Sequence, residues 1–223
     1  PRNRRRPYKI RDILASVLDQ DSFFEIGAGW GRSVVAGLGR IDGYPVGVLA
    51  NDPYFYGGGL TADGSEKMER MVDLCDTFHL PIVHFVDQPG NMTGPEAEAI
   101  GTLQGAIRVL KATEMSRTPW LSIIVRRAFG MAGGLHGRKH GLDGRALNHR
   151  FAWPSARWGS IPIEGGVQAA YRRDIAAAAD PQARRDELEA HYGHLSSPFR
   201  TAERFGIVDV IDPSETRTRL CDW

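Results

Sequence analysis

Residues 65–90 read SEKMERMVDLCDTFHLPIVHFVDQPG, and the order of patterns within them decides the fold. Met68, Met71, Val72, Cys75 and Phe78 recur at three- and four-residue intervals, which predicts a helix with one apolar stripe. Asp63 and Glu66 make a capping-box pair at its start. Ile82 to Val86 follows as a short, almost continuous apolar run, the signature of a strand buried on both faces. It ends in the turn Asp87-Gln88-Pro89-Gly90.

The same unit recurs downstream. Ile100, Leu103, Ile107 and Leu110 stand at helical spacing, and Leu121 to Val125 is a second buried strand ending in Phe129-Gly130-Met131-Ala132-Gly133-Gly134. A further helix is predicted after these glycines, then a strand around Phe151 to Trp153. A helix starting at Pro181 with Asp180 as its cap comes next, and Gly206 to Ile211 is the last strand. Upstream, Tyr8 to Asp19 carries Ile10, Ile13, Leu14, Val17 and Leu18 on one helical face. Phe23 to Ile26 is a short strand, Ser33 to Asn51 alternates as a β-hairpin, and the glycines at 57–59 break the pattern. Alternating helices and strands predict an α/β domain with helices covering a sheet. The stripes Met68 to Phe78 and Ile100 to Leu110 are assigned to the core rather than to an interface between subunits.

Composition narrows the class. The chain has 223 residues, 28 Lys plus Arg against 27 Asp plus Glu, and 42% hydrophobic residues, an ordinary globular balance. A net charge of +1 gives no global attraction to nucleic acid, and no apolar run is long enough for a membrane span. Two cysteines, Cys75 and Cys221, are too few for a disulfide framework and suit a reducing compartment. The basic run Arg2, Arg4, Arg5, Arg6 reads as a solvated linker, so residues 1–8 are set apart from one domain spanning 9–223.

Several chemistries are weighed on motifs. Phe23 to Gly31 resembles the cofactor loop of a SAM-dependent methyltransferase, with Asp52 near the spacing of a ribose-binding acid, yet the period-two pattern of 33–51 leaves no room for the crossover helix. Asp87 to Gly90 resembles a GTPase switch loop, but the chain has no Gly-Lys pair for a phosphate cradle. His136 and His140 are four apart, yet Gly137 stands where a zinc protease needs Glu, and no metal site is expected. A GxSxG elbow is absent. What remains is the pair of Gly-rich turns, each opening a helix. Their backbone N–H groups can form an oxyanion hole, or the glycines can merely permit close packing; spacing leaves both open.

FFEI (23–26), GRIDGYPVGVLAND (39–52), residues 65–90, GPEAEA (94–99), RRAFGMAGG (126–134), FAWPSAR (151–157) and DVIDPSETRTRLC (209–221) occur together and in this order. With them the chain resembles, from about Tyr8 to Cys221, the C-terminal half of the carboxyltransferase subunit of biotin-dependent acyl-CoA carboxylases. The resemblance implies a crotonase-like ββα superhelix and carboxyl transfer from carboxybiotin to the α-carbon of an acyl-CoA through an enolate. Biotin would arrive on a separate carrier. The implied partners are a biotin carboxylase, the biotin carboxyl carrier protein, the N-terminal carboxyltransferase half and further copies in a hexamer, in the bacterial cytoplasm or, less readily, the mitochondrial matrix. A related decarboxylase or transcarboxylase, and a non-catalytic assembly half, are the alternatives.

By position, Met131 and Ala132 match the family's biotin-side oxyanion pair, and Gly90 and Asn91 the facing turn. Phe129, Gly130, Gly133, Gly134 and Gly94 would line the substrate pocket. Met131 replaces a glycine, which predicts a strained loop if that position needs a positive φ. Gly134 stands where relatives carry a side chain that limits the acyl pocket, so a bulkier acyl group is expected.

Overall fold

A computed structural model of the chain describes residues 6–137, 147–204 and 206–223. The basic residues Arg2, Arg4 and Arg5, His140, and most of the helix expected after Gly134 lie outside this range. Among the described residues one eight-stranded sheet organises the chain, in the order β1-β2-β3-β4-β5-β6-β8 with β7 also paired to β5. β2 (Val34–Ile41) and β3 (Tyr44–Asn51) form the predicted antiparallel hairpin. Its two-residue turn, Asp42-Gly43, has positive φ at both positions, the geometry that matches strand twist. β1 (Phe24–Glu25) adds an antiparallel edge to β2. From β3 onward the pairing is parallel, through β4 (Ile82–Gln88), β5 (Trp120–Phe129), β6 (Asn148–Ala152) and β8 (Asp209–Val210), with β7 (Arg157–Gly159) beside the end of β5.

Helices cover both faces. α1 (Ile10–Val17) places Ile10, Leu14 and Val17 against Val83, Phe85, Leu121, Ile123 and Phe151. α9 (Thr216–Cys221) closes that side with Leu220, and Thr216 accepts the indole N–H of Trp153 at 2.9 Å. α2 (Ala62–Phe78) crosses from β3 to β4 on the other face and buries Met68, Met71, Val72 and Cys75. Burial pushes the Cys75 thiol up to about 12, so it packs as an inert apolar group. Thr61, not Asp63, caps α2 by accepting from the Gly64 amide at 3.0 Å, and Phe78 is exposed.

α3 (Pro95–Ala99) and α4 (Thr102–Met115) join β4 to β5. α4 reverses the sequence expectation. Ile100, Leu103, Ile107 and Leu110 are 66%, 52%, 51% and 38% exposed, while Thr102, Gly105, Ala106, Val109 and Thr113 face the core. The inward residues are small because α4 lies very close to α2; a Cβ on Gly105 would stand 2.9 Å from that of Ser65. Beyond β7, α5 (Ile163–Ala170), α6 (Arg172–Ala177) and α7 (Pro181–Gly193) share a small cluster of Val167, Ile175 and Leu188. Asp180 caps α7 as expected, accepting from Gln182 and Ala183. α8 (Pro198–Ala202) leads to β8, which is shorter than the predicted last strand.

Candidate active site

Parallel neighbours end at the same edge of a sheet, so β4 and β5 bring their Gly-rich turns side by side. The pairing carries through to Gln88 opposite Ala128, with a bulge after Val86. A Cβ placed on Gly90 would stand 4.0 Å from the Phe129 carbonyl oxygen, which measures how closely the turns approach. The Gly90 carbonyl accepts from the Leu60 amide at 3.0 Å, and the Met92 amide donates to the Leu60 carbonyl at 2.9 Å. These bonds pin the first turn to the segment before α2. The Gly90 amide meets only the Gln88 side-chain oxygen, at 3.3 Å, and Asn91 Oδ1 is buried without a partner.

The second turn takes its shape from two glycines. Gly130 has φ +64° and donates to the Gly159 carbonyl at 3.0 Å, which ties the turn to β7. Gly133 lies directly on the strand that precedes it, where a Cβ would come 2.3 Å from the Ala128 carbonyl carbon. Met131 sits in the right-handed helical region at φ −62°, ψ −47°, so the strain expected of it is absent; Gly130 carries the positive φ instead. Residues 132–134 form a single 3-10 turn, with Gly134 donating to Met131 and Leu135 to Ala132. The amides of Met131 and Ala132 make no well-formed hydrogen bond with any described residue. Gly134 is exposed, and a Cβ there would meet nothing within 4 Å. Gly94 caps α3 at φ +114°, a few residues beyond the first turn.

Beneath the turns lies a charged network to which the sequence motifs assign no role. Asp87 is fully buried inside β4 rather than in the turn. It accepts from Arg126 Nε at 3.0 Å, Arg127 Nε at 2.6 Å and the Arg127 amide at 3.2 Å, while its own amide donates to Asn51 Oδ1. Arg127 also donates to the Gly57 carbonyl and Arg126 to that of Arg6, so one carboxylate gathers three chain segments. A cleft of 240 Å³ opens beside it, lined in part by Pro7, Pro53, Gly57, Pro89, Arg127 and Phe129. Pro89 and Phe129 set it against both turns. A charged triplet at the ends of two apolar strands was the signal available in the sequence.

The other candidates resolve structurally. Asp52 is buried and accepts from Arg11 Nη1 at 2.6 Å and from the Tyr54 amide, an ion pair that holds α1 to the end of β3. Gly31 packs on the backbone of Asp63, so the 27–31 stretch seats the start of α2. Among the described residues no three His, Cys, Asp or Glu side chains are grouped to hold a metal. His136 is buried and His140 lies outside the described range.

Paired Gly-rich turns with uncommitted amides at neighbouring parallel strand ends can hold a carbonyl oxygen that gains negative charge. The chain belongs to the carboxyl transferase domain family, whose pattern it matches over residues 1–222. It is 39% identical over 222 residues to the carboxyltransferase subunit of propionyl-CoA carboxylase from Haloferax mediterranei, covering 99% of this chain and 42% of that protein. It is 32% identical to the methylmalonyl-CoA carboxyltransferase 12S subunit of Propionibacterium freudenreichii, covering 99% of this chain and 41% of that one. A transcarboxylase 12S crystal structure, described as a hexamer with methylmalonyl-coenzyme A bound, superposes with a TM-score of 0.88 at 31% identity, covering all of this chain and 42% of that one. The fold is therefore crotonase-like. The chain spans about two fifths of the length of these relatives.

Proposed function

We propose that this chain is the biotin-facing half of a biotin-dependent acyl-CoA carboxyltransferase. The observation that carries the reading is the apposition of the Gly90 and Gly130 turns, with the Met131 and Ala132 amides left uncommitted. Biotin, delivered on a separate carrier protein, supplies the transferable carboxyl group. Met131 and Ala132 would donate their amides to one carbonyl oxygen, and Gly90 and Asn91 theirs to another. Each oxygen gains negative charge as the α-proton leaves and the new C–C bond forms. Donors fixed in advance stabilise that charge without reorganising, and losing one costs roughly 3 kcal/mol of barrier. Phe129, Gly130, Gly133 and Gly94 shape the turns, and Gly134 opens the wall against the acyl chain.

The resemblances support the partners: a biotin carboxylase, a biotin carboxyl carrier protein, the N-terminal half that grips CoA, and hexameric assembly. The resemblance also carries the proposed place, the bacterial cytoplasm; among the described residues no helix is long and apolar enough to cross a membrane, and Cys75 and Cys221 are free thiols.

Met131→Pro tests the central claim, because proline removes the amide at a φ it already favours. In the complete complex, kcat for acyl-CoA carboxylation should fall about 100-fold or more with little change in melting temperature. An unchanged kcat would overturn the assignment. Gly134→Ile should shift preference toward shorter acyl chains, read as relative kcat/KM across an acyl-CoA series. A streptavidin blot of material purified through this chain should reveal a biotinylated partner.

A further inference from the structure

One row of polar side chains crosses the sheet without a role in the site just described. His84, Ser122 and Arg150 are register partners on β4, β5 and β6, so all three project from the same face. Trp120 lies on that face two residues before Ser122, its ring 5.9 Å from the His84 ring. The Ser122 hydroxyl donates to the His136 carbonyl at 2.7 Å and draws His136 onto the row. His84 is 4% exposed, Trp120 2% and His136 6%.

These groups lack partners. His84 Nδ1, Trp120 Nε1, His136 Nδ1 and Arg150 Nε are all buried without a hydrogen bond. Arg150 is half-buried with its Nε enclosed, and it has no carboxylate to pair with among the described residues. Burial lowers the pKa of both histidines, and Arg150 and His84 lower that of His136 further, so the imidazoles are neutral and Arg150 is the formal charge of the row. Water could satisfy the enclosed ring donors, but only an anion would also pair with the half-buried Arg150 guanidinium. A divalent metal is disfavoured by the adjacent guanidinium and, among the described residues, by the lack of a thiolate or carboxylate ligand.

We propose that His84, Trp120, His136 and Arg150 form a binding site for a small monovalent anion, of the size of a halide or bicarbonate, behind the second Gly-rich turn. One such ion accepts from several ring N–H groups and neutralises Arg150 at once. The site is separate from the amides assigned to catalysis, and its occupancy does not depend on the proposed reaction.

The test is a melting titration of the intact protein with sodium bromide, and separately with sodium bicarbonate, each against sodium gluconate at equal ionic strength and pH. A saturable rise of roughly 3–6 °C at ten times the dissociation constant is expected with bromide, bicarbonate or both, and the difference names the ion. Arg150→Met should abolish the rise, and His84→Phe should move its half-saturation to higher concentration. A bromide anomalous peak within hydrogen-bonding distance of Arg150 and His84 in crystals supplies a reading that survives if a variant fails to fold. Equal curves in all three salts with no such peak would overturn the proposal, as would an undiminished rise in Arg150→Met.

Discussion

Asp87 shows how much one side chain holds in this molecule. Fully buried, it pairs with both Arg126 and Arg127 while their remaining donors fix the carbonyls of Arg6 and Gly57. Removing its charge leaves two guanidiniums in a low-dielectric setting. Asp87→Asn should therefore cost about 3–5 kcal/mol of unfolding free energy, measurable by denaturant titration. A cost below about 1 kcal/mol would mean that water reaches the arginines. The same scale corrects the expectation at Met131. The sequence told us that a glycine position had been lost, and the geometry places the positive φ one residue earlier, at Gly130. Sequence spacing could not decide between them, because φ depends on how the turn meets β7 and the back of β5.

At the scale of elements, α4 is the instructive case. Its large apolar residues lie at helical spacing and still face outward. Periodicity reports which residues share a face, but not which face meets the core. Gly105 and Ala106 decide that by letting α4 approach α2, a fit visible only once both helices are placed. Ile107→Asp should leave stability within about 0.5 kcal/mol, as for other exposed positions. Ala106→Asp puts an unpaired charge in the core and should cost several kcal/mol. Thermal melts of the two variants, side by side, read the orientation directly; equal losses would reverse it. By contrast, α2, the β2–β3 hairpin and the buried strands β4 and β5 were legible beforehand. Their signals are local: a one-sided stripe, an Asp-Gly turn and short apolar runs.

For the whole molecule, the buried histidines link stability to pH. Burial pushes His84 down to about 3, and His136 well below the ordinary imidazole range through burial, Arg150 and His84. Below pH of about 6.5 the unfolded chain takes up protons that the folded chain refuses, so stability is full above that pH and lost on acidification. The slope should be about 1.4 kcal/mol per pH unit for each histidine, continuing for His84 down to about pH 3. In halide-free buffer, His84→Gln should flatten the acid limb of the denaturant midpoint by one histidine's share. An unaltered limb would show that His84 is already solvated.

The sequence by itself determined the α/β class, the repeated strand-to-glycine turns and the family, because these rest on local periodicity and on ordered motifs. Only the tertiary structure decided that the two turns meet, that Asp87 gathers Arg126 and Arg127 beneath them, and that His84, Trp120, His136 and Arg150 come together on one side of the sheet. Each of these depends on parallel strands placed side by side by long crossovers, 31 residues between β4 and β5 and 18 between β5 and β6. Contacts across that separation are set by register and packing, which no single segment of the chain encodes.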